Sequence, residues 1–333
     1  MLWRRPDGDL VRDVPPTKAI MPYLMRGRNE SAVYFEQQVA MRHADAYVRE
    51  FNVAHPDTPI TVQHLLMLAI VQVLDTYPTM NRFVVGGRLY QRRGIWFTYS
   101  AKQSLKGKSP LIVLKRRFDP NEPFEDMVRA MQDQLREDRY GDSISPSDAE
   151  AALILKFPGV VRRIILAVGR VGDAFGLLPA SMIEHDPMYA SVFFANLASI
   201  GMDACYHHLY EYGTIGIFGV IGRPVTDPGS PTSGPDRRRT MTLRWTFDER
   251  CEDGLVAGYA LKRAKQILED PLGSGLPHPG SGSLPRPESG SLPRPGSGSL
   301  PRPGSGSLPR PGTQSPAVTP EPGAFPTESA GSS

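Results

Sequence analysis

Thr246-Phe247-Asp248-Glu249-Arg250-Cys251-Glu252-Asp253-Gly254 is the stretch on which the fold turns. Ahead of it Met241, Leu243, Trp245 and Phe247 alternate with polar residues, the period of two of a strand with one buried face. Behind it Leu255, Tyr259, Lys262, Arg263, Ile267 and Leu268 follow helical spacing as far as Pro271. An acidic turn is therefore held between a strand and a helix, where rigid elements on both sides can aim its side chains.

Elements on either side continue the alternation of strand and helix. Ile217 to Val220 reads as a strand closed by Gly222-Arg223-Pro224, and the polar loop Thr226 to Arg237 leads back to the closing strand. Ala190 to Ala195 reads as another strand, running into Asn196-Leu197-Ala198-Ser199. Earlier, Ser31 to Met41 alternates as a strand and His43 to Phe51 has helical spacing. Thr61 is placed to cap an apolar helix over Val62 to Tyr77, stopped by Pro78. Short strands follow at Arg82 to Val85, Leu89 to Arg92, Ile95 to Ala101 and Leu111 to Leu114, then a helix over Pro123 to Leu135, with Asn121 a candidate cap.

Residues 145–185 predict a helical insertion, Ser147 to Leu155 and Val160 to Ala174. An ordinary insertion would turn its apolar face to the core. The other readings are a lid over a substrate channel, or a surface-seeking amphipathic hairpin carrying Arg162, Arg163 and Arg170. Residues 1–15 are polar and proline-marked and read as an arm, which leaves 16–273 for the folded domain. From 274 to 333 an octapeptide built on Leu-Pro-x-Pro recurs from Leu276, Leu284, Leu292 and Leu300, with a partial copy at Leu308. One leucine per repeat cannot offset the entropy of ordering, so a disordered tail is expected. It is drifted low-complexity sequence, a tether, or a ligand for a proline-reading module around Pro285-Arg286-Pro287.

The formal charge of +3 in 333 residues leaves no strongly basic face, so nucleic acid is not the expected partner. Cys205 and Cys251 are too few for a disulfide framework or a zinc site, which suits a reducing cytoplasm. No signal peptide or membrane span is expected: the most apolar run, Leu153 to Val168, is interrupted by Lys156, Pro158, Arg162 and Arg163.

The motif around Asp248 resembles the signature S-F-D-H-R-x-x-D-G of the dihydrolipoyl acyltransferase catalytic domain, the core of 2-oxoacid dehydrogenase complexes. Chloramphenicol acetyltransferase has the same fold. Phe247, Asp248, Arg250, Asp253 and Gly254 match, and Glu249 stands where the family has its general-base His. Asn196-Leu197 is similar to the family's F-T-I-S-N-L-G-x-x-G, with Ala195 in place of the Ser or Thr that stabilises the oxyanion. Lys18-Ala19-Ile20, the Thr61 to Asn81 run and Ile217-Phe218-Gly219-Val220 resemble further family segments.

The resemblance implies an α/β two-layer domain, a mixed sheet with helices on one side, and a homotrimer with its active site between subunits. It implies acyl transfer between coenzyme A and a thiol or hydroxyl acceptor, or else an inactive trimeric scaffold keeping the fold. Catalytic positions would be Glu249, His208 and Asp253, the last pairing with an Arg to hold its loop; Asn196, Ser199 and His207 would meet substrate. Arg250, Gly254 and Lys18 would be structural. A carboxylate with an ordinary pKa of about 4.3 is a poor base for a thiol near 8.5, so Glu249 would need burial to serve, or be an ion-paired relic of the site. His207 or His208 could replace it. On a helix His207 and Glu211 would share a face and could hold a metal, but adjacent histidines lack a defined ligand spacing and no metal is expected. No lipoyl domain or lipoyl-lysine turn precedes residue 17, so a short stand-alone relative with no covalent cofactor is expected.

Overall fold

The computed structural model describes residues 4–102, 111–140, 152–234 and 237–280. In chain order the strands are β1 (Gly8–Leu10), β2 (Ala32–Ala40), β3 (Arg82–Val85), β4 (Arg88–Arg92), β5 (Ile95–Lys102), β6 (Leu111–Phe118), β7 (Val192–Asn196), β8 (Ile217–Ile221), β9 (Val225–Thr226) and β10 (Arg239–Asp248). The helices are α1 (Pro16–Ala19), α2 (Met21–Leu24), α3 (Arg42–Ala54), α4 (Val62–Thr76), α5 (Phe124–Tyr140), α6 (Gly159–Ala174), α7 (Ala180–His185) and α8 (Gly254–Glu269).

The main sheet runs β2-β10-β8-β7-β5-β6, with β9 added to the start of β10. β5, β7 and β8 are mutually parallel and the other pairings antiparallel, so the sheet is mixed. The inner strands β7 (Val-Phe-Phe-Ala-Asn) and β8 (Ile-Phe-Gly-Val-Ile) are apolar on both faces because both are covered. β10 alternates: Met241, Leu243, Trp245 and Phe247 enter the core shared with α3, α4, α5 and α8, whereas Arg244 and Thr246 face the other way. Gly219 is the residue that lets this core close. A Cβ there would lie 2.7 Å from the Trp245 ring and 3.1 Å from Phe194.

The opposite face is covered by chain rather than helix: Ala204, Leu209 and Ile215 pack on Phe193, Phe218 and Val220. The fold is the α/β two-layer arrangement expected of the sequence. A smaller sheet, β1-β4-β3, stands beside it. Its first strand lies within the residues read as an arm, since Gly8, Asp9 and Leu10 pair with Arg92, Gln91 and Tyr90. Ordered packing also continues past residue 273. Leu276 is buried in the main core, Tyr47 donates to the Pro277 carbonyl at 3.0 Å, and His55 Nε2 lies 2.8 Å from the Pro279 carbonyl. The rest of the repeat tail, and residues 147–151 of the expected helix at Ser147 to Leu155, lie outside the described residues.

The insertion corrects the expectation of a core-facing helix. In α6 Asp173 alone is buried. Val160, Ile164, Val168 and Val171, which share a face, are 69%, 58%, 66% and 58% exposed. The C-terminal end is nonetheless well made: Gly176, at φ +70°, donates to Asp173 and Leu177 to Gly172, the double closure of a Schellman cap.

Candidate functional site

β10 ends in a buried ionic brace. Asp248 is 1% exposed, and its Oδ1 accepts from Ser31 Oγ at 2.8 Å, Arg250 Nε at 2.9 Å and Arg250 N at 3.1 Å. Its Oδ2 accepts from Arg250 Nη2 at 2.7 Å, completing a bidentate pair. A buried ion pair stands only where such additional hydrogen bonds satisfy it. Arg250 Nη1 also donates to the Met25 carbonyl at 3.3 Å, which ties the brace to the end of α2. Lys18, on α1, pairs with Glu252, and Glu252 in turn accepts from the Asp253 amide. Against the cost of burial, the Lys18 ammonium holds the Glu252 carboxyl below its ordinary range. Cys251 lies buried between them, and burial raises its thiol well above the usual value, which leaves a packing residue rather than a nucleophile.

Glu249 sits inside this brace without joining it. Its amide donates to the Ser31 carbonyl at 3.0 Å, which fixes the backbone. Its half-buried carboxylate makes no ion pair or hydrogen bond among the described residues, because Arg250 is committed to Asp248 and Lys18 to Glu252. Among the described residues of one protomer Glu249 is therefore not ion-paired. Asp253 pairs with no Arg among the described residues. It is the N-cap of α8, accepting from the Leu255 and Val256 amides at 3.0 Å each, with Gly254 opening the helix. Asp248 is the aspartate that holds the loop.

Asn196 and Ser199 belong to a different place. Ser199 N donates to Asn196 Oδ1 at 3.1 Å and Ser199 Oγ to the Asn196 carbonyl at 2.7 Å, while Asn196 Nδ2 donates to Gln63 at α4. Asn196 pairs with Ile221 at the far end of β8, whereas Phe247 pairs with Ile217 at its start. Four residues of strand, about 13 Å, separate the Asn196 row from the Phe247 row. One protomer therefore does not bring Asn196 and Glu249 together.

The histidine segment is not helical, so the alternative in which His207 and Glu211 share a helix face has no helix to carry it. Residues 203–210 cross the sheet without regular secondary structure. His207 stacks on Phe218 with centroids 3.9 Å apart, Phe218 on Phe193 at 4.8 Å, and the exposed His208 on His207 at 4.7 Å. Thr246 Oγ1 donates to the His207 carbonyl at 2.6 Å. Glu211 instead accepts from the Arg28 amide at 3.1 Å and from the Asn29 amide and side chain at 3.0 and 2.9 Å. These donors overcome burial and bring its pKa below the ordinary value.

A feature the sequence did not disclose adjoins the brace. A cleft of about 310 Å³ is lined by Arg26, Arg28 and Arg250, by the β3–β4 turn at Gly86 and Gly87, and by Gly169, Arg170, Asp173 and Ala174 of α6. Arg28 is buried, and among the described residues its guanidinium donates only to carbonyls, Tyr210 at 3.2 Å and Glu211 at 3.0 Å, with Val84 at 3.5 Å; desolvation pulls its pKa below the ordinary value. Of the carboxylates lining the cleft, Asp173 is taken by Arg5 and Glu211 by the amides of Arg28 and Asn29. With Arg26 paired to Glu30 and Arg250 to Asp248, Arg28 and Arg170 stand against the Glu211 carboxylate, and the lining is net positive. Arg26 and Arg28 meet Arg170 and Arg250 here from distant parts of the chain, and no local spacing reports it.

Comparison with solved structures places this fold. A probable dihydrolipoamide acetyltransferase of Listeria monocytogenes 4b F2365 is 13% identical, covering 79% of this chain and 95% of its own with a TM-score of 0.50. The dihydrolipoamide acetyltransferase of Azotobacter vinelandii is 16% identical, covering 79% and 93% at the same TM-score of 0.50. The cubic core of a pyruvate dehydrogenase multienzyme complex is 14% identical with the same coverage, 79% and 93%, and TM-score, 0.50. No family model and no curated protein sequence matches the chain. The likeness is one of fold.

Proposed function

On the fold of the dihydrolipoamide acetyltransferase cores, we propose an acyltransferase that moves an acyl group from a thioester, coenzyme A by preference, to a thiol or hydroxyl. The observation that carries this reading is Glu249: a carboxylate held at a fixed backbone position by the Ser31 carbonyl, beside a satisfied brace, and itself unpartnered among the described residues. A general base must be positioned and uncommitted. Working as a homotrimer, the chain would set Glu249 of one protomer against the Asn196–Ser199 end of another. That arrangement accounts for their separation within one protomer. With Arg250 engaged by Asp248 and Arg26 by Glu30, Arg28 and Arg170 supply the positive charge that a phosphate-bearing donor requires. The cytoplasm is the compartment proposed, where coenzyme A thioesters are the substrates.

One observation favours a second reading, a catalytically inactive scaffold of the same fold. Ala195 offers no hydroxyl for the oxyanion, and loss of one such donor typically costs about a hundredfold to a thousandfold. Thiol release from acetyl-CoA and longer acyl-CoAs separates the two. The acyltransferase reading expects turnover that drops about a hundredfold or more in Glu249→Gln and rises in Ala195→Ser. Turnover lost only in His208→Ala would move the base to the histidine segment. No release by a folded trimer, with or without Ala195→Ser, would leave the scaffold.

A further inference from the structure

We propose that α6 is a membrane-surface helix that docks the protein on anionic lipid. The inference does not rest on the acyltransferase reading. α6 has the length and pattern of an interfacial helix, with one apolar face and a cationic border. What sets it apart from an ordinary surface helix is the direction of that face. Val160, Ile164, Val168, Val171 and Phe175 lie along one stripe, 39–69% exposed, with every side chain on it aliphatic or aromatic. Leu153, Leu155 and Phe157 extend the exposed apolar surface ahead of the helix at 57%, 63% and 42%.

The choice of lipid over a protein partner comes from charge and from the stripe's chemistry. Across 152–178 the cations are Lys156, Arg162, Arg163 and Arg170, and the one acid is Asp173. Asp173 is turned inward and buried on Arg5. Every charge this segment shows to solvent is therefore positive. Arg163 and Arg170, seven residues apart and both exposed, run together beside the stripe, where long cationic stems can lie on hydrocarbon and keep their heads among phosphates. The stripe carries no hydrogen-bonding side chain that would specify a protein partner, and hydrocarbon demands none. No helix among the described residues is long and apolar enough to cross a membrane, so the mode is peripheral.

The Asp173 end of the helix is fixed to the body by Arg5, which donates to the Asp173 carboxylate and, at 2.9 Å, to its carbonyl. The edge formed by Gly169, Arg170, Asp173 and Ala174 walls the arginine-lined cleft.

Co-sedimentation of the full chain with vesicles tests this. Binding is expected to phosphatidylcholine vesicles containing about a third phosphatidylglycerol, to weaken with salt, and to be far weaker on phosphatidylcholine alone. Val168→Asp, at a solvent-exposed position that leaves the circular dichroism unchanged, should lower partitioning about tenfold or more. Lys156→Gln and Arg163→Gln should each lower it about fivefold, the value of one basic residue near an anionic surface. Absence of binding to the anionic vesicles, or binding indifferent to Val168→Asp, overturns the proposal. So does sedimentation equilibrium in which Val168→Asp dissociates an oligomer while no vesicles bind, since the stripe would then cover a second copy of the chain.

Discussion

The brace at the end of β10 and helix α6 each put residues where chains seldom leave them: a carboxylate and a guanidinium in the interior, and branched aliphatics in water. In the brace every exception is compensated. Asp248 receives four donated hydrogen bonds from Ser31 and Arg250, and Arg250 Nη1 donates to Met25. In α6 nothing among the described residues covers Val160, Ile164 or Val168. A satisfied exception is a structural device, here one that holds the Glu249 backbone in place. An unsatisfied one points outward, to whatever completes it.

The comparison can be broken most forcefully at Asp248. Replacing it with Ala strands a buried guanidinium and should cost about 3–5 kcal/mol, the usual penalty for removing one partner of a buried pair. The urea midpoint would fall with little change in slope. A loss under 1 kcal/mol would show that water reaches Arg250 and that the site is not braced at all.

A smaller effect is expected at the start of α4, where Thr61 donates its amide to His64 Nδ1 at 2.9 Å. That contact needs a neutral ring, and burial pushes the His64 pKa down to about 4. The sign follows from the depression. Between pH 6.5 and about 4 the unfolded chain binds the proton and the folded chain does not, so this contribution is complete above 6.5 and is lost as pH falls toward 4. His64 is partly open to solvent, which reduces the expected loss to about 1–2 kcal/mol. Wild type should lose that much more than His64→Gln over this interval, because Gln keeps the capping acceptor without titrating. Parallel pH curves would exclude it. Asp253→Ala, which removes the cap of α8, should cost about 1 kcal/mol in the same denaturation assay. If it instead cost as much as Asp248→Ala, the two aspartates would have the roles that the sequence motif suggested.

That reversal shows how far the sequence could be read. The alternation of Met241 to Phe247, the Thr61 start and the Pro78 stop of α4 placed the sheet and its principal helices, because each is a local pattern with a local cause. The partner of Arg250 was not local in this sense. Asp248 and Asp253 are both within reach of it in sequence, and only the course of the chain after β10 selects Asp248. The weighed alternative of a His207–Glu211 metal pair assumed a helix, whereas the chain there forms none and His207 stacks on Phe218. The arginine cleft was hidden altogether, as its walls come from segments far apart in sequence. For α6 the hydrophobic period gave the helix and its apolar face correctly. Period alone does not say which side of that face the rest of the molecule lies on.

The smallest expected effect is therefore also the most discriminating. Val168→Gln replaces a large apolar side chain with a polar one, a change that in the core would cost several kcal/mol. On α6 the position is 66% exposed, so the loss of burial is slight, and Gln has the better helix propensity. Stability should stay within about 0.5 kcal/mol of wild type in dilute, lipid-free solution. Leu66→Ala, at a fully buried position of α4, should cost about 2–5 kcal/mol under the same conditions. If Val168→Gln cost as much as Leu66→Ala, the stripe would already be covered in solution, and the contrast with the brace would vanish. Repeating the measurement across protein concentration identifies the cover: a cost that disappears on dilution belongs to self-association, and one that persists belongs to the chain itself.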